Sequence, residues 1–137
     1  MNTVIETTTA TAQVRFNNAL KAVRKVGVAT RVNFSSCCRS CAVLPEDKVT
    51  LWTFGGQGNA YAWFEGTMVN RSELAKLKAR VFTVTLEKLE KAKALETEVY
   101  FNFTDIIAAE AAVICFEAEG FEVDWDGTDL KCVVVKM

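Results

Sequence analysis

The sequence predicts a single α+β domain, a mainly antiparallel sheet with about three helices packed on it. Three observations carry that expectation. Two stretches, 11–26 and 105–119, repeat apolar residues at helical spacing. Between and beyond them lie short runs of β-branched and aromatic residues, punctuated by glycine and Asp-Gly. At 137 residues, 50% hydrophobic and 24% charged, the chain has the composition of one globular domain, long enough to bury a core without covalent staples.

The elements follow in order. Residues 1–9 read as a polar, β-branched lead-in. From Thr11 the apolar positions Ala12, Phe16, Ala19, Leu20, Val23 and Val26 form one helical stripe, with Gly27 as its C-terminal cap. Residues 28–34 read as a strand, and 35–44 as a loop holding Cys37, Cys38 and Cys41. KVTLWTF (48–54) and NAYAWF (59–64) are β-rich runs around Gly55-Gly56-Gln57-Gly58, which predicts an antiparallel hairpin with aromatics paired across it.

Asn70 followed by Glu73 resembles a capping box ahead of Leu74, Leu77 and Val81. VFTVT (81–85) reads as a strand and 86–95 as a helix, with one long irregular helix as the competing reading. Residues 98–103 (EVYFNF) predict a strand. Thr104 or Asp105 then caps a helix through Glu119, its apolar stripe Ile107, Ala111, Ile114 and Ala118, with Gly120 just past its end. Residues 121–125 and 130–135, around Asp126-Gly127, predict a closing hairpin.

Composition limits function as well. The absence of histidine removes His-based triads, HExxH zinc sites and the usual general base near neutral pH. Sixteen Lys and Arg against seventeen Asp and Glu give a net charge of −1, so no global positive field draws nucleic acid. No run of about 18 apolar residues suits a membrane span. The opening MNTVIETTTATAQVRF lacks the basic start, apolar run and small-residue cleavage site of a signal peptide, so cytoplasmic residence is expected. On that expectation the N-x-S/T triplets at Asn33, Asn70 and Asn102 carry no glycosylation meaning.

Two constellations are candidates for function. Cys38 and Cys41 have the C-x-x-C spacing that lets two thiolates face one ion, and Cys37 is a third donor beside them. This loop is the candidate metal site, with zinc the possible cofactor. The competing readings are reduced structural thiols and a redox thiol activated by Arg39. Cys115 and Cys132 lie in apolar surroundings and read as core. The second candidate is a binding surface on the predicted hairpin: Trp52, Gln57, Tyr61 and Trp63. Three carboxylates in DWDGTD (124–129) do not follow the order of a calcium loop, and a turn explains them.

NFSSCCRSC together with the late EGFEVDWDGTDLKCVVV resembles an uncharacterised family of actinobacterial proteins, also carried by their phages and known only as a domain of unknown function. The resemblance lies in Phe34, the CCxxC loop of Cys37, Cys38 and Cys41, Trp52, Phe54 and Gln57, and the hairpin Trp125-Asp126-Gly127. It covers 33–64 and 100–135. Ala42 stands where members often have glycine, and Gly55-Gly56 replaces a histidine-containing segment. The resemblance implies the fold and the importance of the cysteine loop, and brings no activity with it.

The expected function is a non-enzymatic binding or regulatory module acting on a protein partner, in the manner of a phage accessory protein that binds a host factor. The alternative is a structural-zinc or thiol-dependent protein built on the CCxxC loop. Elemental analysis of the purified chain, combined with thiol counting, separates the two. An aromatic sheet face that stacks RNA bases is a third reading, weakened by the scarcity of basic residues on those strands.

Overall fold

The structure, a computed structural model, describes residues 11–34, 47–56 and 58–137. Among the described residues four helices accompany a five-stranded mixed sheet and a separate two-stranded ribbon, one α+β fold.

The described residues open on α1 (Ala12–Lys25), whose N-cap Thr11 accepts a hydrogen bond from the Val14 N–H at 3.2 Å. Its inner face is Phe16, Ala19, Leu20 and Val23, as the periodicity predicts, whereas Val26 lies past the last turn and is exposed. Gly27, at φ +95°, reverses the chain into β1 (Ala29–Phe34). Strand β2 (Thr50–Phe54) runs parallel to β1 and antiparallel to β5 (Glu98–Phe103). Strand β7 (Val133–Lys136) joins the other side of β5, and β6 (Glu122–Asp124) closes that edge, giving the order β1-β2-β5-β7-β6.

The predicted hairpin between 48–54 and 59–64 does not form. With both sides of β2 taken by β1 and β5, and Thr50 to Thr53 all buried, no ladder is left for a third partner. Instead β3 (Tyr61–Phe64) pairs with β4 (Thr67–Asn70), a strand the sequence reading did not assign. The turn between them is Glu65-Gly66, at φ 52° and 78°. Two positive φ values in a two-residue loop match the right-handed twist of the flanking strands. The Gly-rich run 55–58 was the more conspicuous turn signal, but it carries the chain between sheets.

Asn70 ends β4 and caps α2 (Arg71–Arg80), accepting from the Glu73 N–H at 3.1 Å. Residues 81–85 form neither a strand nor a continuation of the helix; Phe82 there is fully exposed. Thr85 caps the short α3 (Leu86–Lys91), which buries Leu89. Val69, Leu74, Leu77, Leu89 and Ala94 make a small satellite core under this segment.

Helix α4 (Ile106–Ala118) starts on Asp105, whose Oδ1 accepts from the Ile107 N–H at 2.9 Å. Its buried face is Ala108, Ala109, Ala112 and Phe116. The predicted stripe is therefore displaced: Ile107 is 58% and Ile114 68% exposed. The helix is apolar nearly all round, so periodicity could not choose which face meets the sheet. The small residues let α4 approach closely, and Phe116 fills the space beyond them. Helices α1 and α4 together cover one face of the sheet, over Leu51, Val99, Phe101, Phe103, Val133 and Val135. No helix among the described residues is long and apolar enough to cross a membrane.

Candidate functional site

Side chains alternate along a strand. In β5, Val99, Phe101 and Phe103 point to the helices, so Glu98, Tyr100 and Asn102 point to the opposite face. Register sets their neighbours there: Asn102 lies opposite Trp52, Tyr100 opposite Val134 and then Asp124, and Glu98 opposite Lys136 and then Glu122. Lys136 Nζ meets Glu122 Oε2 at 3.1 Å, and that carboxylate holds the ammonium above its ordinary range. Both groups are largely in water, so the pair contributes little to stability.

Tyr100 is the landmark of this face. It is 46% exposed, and its hydroxyl donates to Glu98 Oε1 at 2.8 Å. On one side lies a cleft of about 550 Å³ lined by Tyr100, Asn102, Asp124, Trp125, Leu130 and Lys131, among others. On the other lies a smaller cleft of about 320 Å³, whose lining includes Tyr61, Asn70 and Glu96, with Tyr100 as the shared wall. Asn102 forms part of the first cleft's lining and is only 4% exposed. Trp52, likewise buried, has an indole N–H without a hydrogen-bond partner among the described residues.

The outer rim of the larger cleft is a self-braced loop. Asp126 Oδ1 accepts from the Thr128 N–H at 2.9 Å and from its hydroxyl at 2.7 Å, and the Trp125 indole donates to the Thr128 carbonyl at 2.9 Å. This is an Asx turn. The Thr128 hydroxyl and N–H hold the Asp126 carboxyl below its usual range. Leu130, in the same loop, is 80% exposed beside Tyr100.

Of the sequence-predicted surface, Tyr61 lines the smaller cleft and Trp52 is buried in the sheet. Trp63 turns to the core, edge-on to Phe16 at 5.5 Å. Gln57 lies outside the described residues, as do Cys37, Cys38 and Cys41 with their metal and thiol readings. Among the described residues no group of three or more His, Cys, Asp and Glu is placed to hold an ion. Cys115 is half-buried, and burial pushes its thiol up, away from nucleophilic character at neutral pH. Tyr100 and Asn102 were missed as site residues, although the period-2 pattern of EVYFNF, read face by face, separates them from the core set.

Both tyrosines stay protonated far above neutral pH. Burial pushes Tyr61 up to about 12, opposed by the Tyr100 backbone N–H that faces its hydroxyl. The hydrogen bond to Glu98 raises Tyr100. The phenols therefore act here as donors and apolar surface. In an absorbance titration of the phenolate band, neither of the chain's two tyrosines ionises at the ordinary 10.0 while the chain is folded, and Tyr61 ionises near 12. Because the folded value of Tyr61 is raised, its contribution to stability is complete below pH 10.0 and is lost as pH climbs toward 12. Tyr61→Phe removes that step; a single transition at the ordinary value contradicts the arrangement.

The architecture is thus an α+β domain with one sheet face under helices and an aromatic cleft system on the other. Comparison with known protein families, curated proteins and solved structures returned no match to this chain.

Proposed function

We propose that the chain is a non-enzymatic binding or regulatory module that engages a protein partner through the sheet face around Tyr100. The observation that supports this reading is the half-exposed Tyr100 standing between two clefts, with Leu130 exposed beside it. A rigid aromatic with a polar tip, ringed by depressions, is the geometry of an interface anchor, since it buries much area at little entropic cost. The clefts offer donors, acceptors and apolar walls, and Asp124, Asp126 and Lys131 supply a polar rim. The resemblance to the actinobacterial and phage family extends the proposal to its partner, a host protein met by a phage-borne accessory protein.

The test is paired capture. Immobilised wild-type chain and Tyr100→Ala are exposed to the same actinobacterial lysate, and the retained proteins are purified and titrated against both. Loss of an anchor of this kind lowers affinity by about 30-fold, the equivalent of about 2 kcal/mol, while the two chains melt alike. A partner that binds both equally, or no partner at all, rejects the reading.

A further inference from the structure

Helix α4 carries more apolar surface than its own fold uses. Its inner face, Ala108, Ala109, Ala112 and Phe116, is fully buried. Its outer face carries Ile107, Ile114 and Ala118, spaced seven and four as on the seam of a helix that packs on another helix, while Ala111 between them is partly buried against the main core. Ile107 and Ile114 on that seam are 58% and 68% exposed. Two such side chains one heptad apart leave exposed apolar surface along one side of the helix.

The charges beside the seam say what covers it. Glu110 and Glu117 are seven residues apart, so both border the same flank of the stripe. The helix has no Lys or Arg, and no basic side chain in its last turn. Glu117 sits in that turn, with Glu119 at the C-cap, where the helix dipole disfavours negative charge. Arg15 of α1 donates to the Glu119 carbonyl at 3.2 Å and supplies a cation at that end, but Glu110 and Glu117 themselves make no ion pair among the described residues. Antiparallel pairing with a second copy along this side would set Glu110 against the partner's Glu117, like charge on like. A seam of this kind suits a helix whose apolar stripe is bordered by Lys or Arg.

We infer that the outer face of α4 is a second docking site, separate from the Tyr100 face, and that its occupant is a basic amphipathic helix of a protein partner. The helix lies along Ile107, Ile114 and Ala118 and sets its cations against Glu110 and Glu117.

The probes are two fluorescein-labelled synthetic peptides of about 20 residues, long enough to form a helix, with the same leucine seam but lysine or glutamate flanks. In polarisation titrations against the full chain, the lysine peptide binds at least about 10-fold tighter than the glutamate peptide, and added salt narrows the difference. Ile107→Asn combined with Ile114→Asn weakens lysine-peptide binding by at least about 10-fold. Both positions are exposed, so the variant melts with the wild type. Glu110→Lys with Glu117→Lys reverses the peptide preference. Tyr100→Ala leaves it unchanged, which keeps this site's fate apart from that of the sheet face. Equal binding of both peptides, or binding of neither, overturns the inference. So does sedimentation as a dimer that the Ile→Asn pair splits, which would assign the face to a second copy.

Discussion

Replacing Phe16 by alanine lowers the unfolding free energy by about 3–5 kcal/mol, the cost of emptying a closed aromatic site. Phe16 is 1% exposed, and its ring meets Trp63 at 5.5 Å, Phe101 at 5.9 Å, Phe116 at 5.2 Å and Phe121 at 6.3 Å. Those partners come from β3, β5, α4 and the residue ahead of β6, so one ring joins α1 to the rest of the main core. Phe101 and Phe116 also touch each other at 5.2 Å, and a cage braced in this way collapses little around a void. In urea the midpoint drops with little change in slope, and the melting temperature falls on the order of 10 °C. Ile114→Ala on the exposed face of α4 changes stability by no more than about 0.5 kcal/mol. A comparable loss at both positions would mean that α4 is packed the other way round.

Asn33→Ala costs about 3 kcal/mol, through two separable effects. The first is backbone. Asn33 sits at φ 62°, where the β1–β2 register shifts, and alanine pays about 1 kcal/mol in the left-handed region. The second is a side-chain bridge. Asn33 Oδ1 accepts from the Tyr61 N–H at 2.7 Å, while its Nδ2 donates to the Tyr61 carbonyl at 2.8 Å. The carboxamide thus stands in for a strand, tying the β3–β4 ribbon to the sheet through bonds worth about 1 kcal/mol each. Asn33→Gly relieves the backbone term alone and recovers about 1 kcal/mol. If Asn33→Gly and Asn33→Ala are equal, backbone strain plays no part. Gly55 is bound into the same corner: its N–H donates to the Phe34 carbonyl, and an added Cβ would fall 2.6 Å from the Asn33 carbonyl carbon.

Much of the fold was legible because its signals are local. Helix α1, the cap at Asn70, strand β5 and the start of α4 all depend on side chains within a few residues of one another. The closing strands pair as expected, but residues 125–132 form a loop between them in place of a tight Asp126-Gly127 turn with a strand from Leu130. Strand pairing is not local. Gly55 to Gly58 looked like a hairpin turn, but β2 takes partners from β1 and β5, and neither is next to it along that loop. Strand β4 was overlooked because Thr67–Asn70 is short and its Glu65-Gly66 turn is a weaker signal than four residues containing three glycines.

The candidate site was legible in part. Tyr61 was named and lines a cleft, whereas Trp63, two residues on, belongs to the core. Composition does not say which aromatic of a strand faces solvent. That depends on which sheet face the helices cover, a property of the assembled layers. Tyr100 and Asn102 become site residues only once α1 and α4 lie across Val99, Phe101 and Phe103.

By itself the sequence determined that there would be an α+β domain, where most elements begin and end, and that a helix with an apolar stripe would start at a cap on Thr104 or Asp105 and run through Glu119. The tertiary structure decided which of that helix's two apolar faces went inward. Ala108 and Ala112 permit an approach to the sheet that Ile107 and Ile114 would block, and Phe116 fills the space beside Phe16 and Phe101. Hydrophobicity alone ranks the isoleucine face as the core; close packing reverses the order.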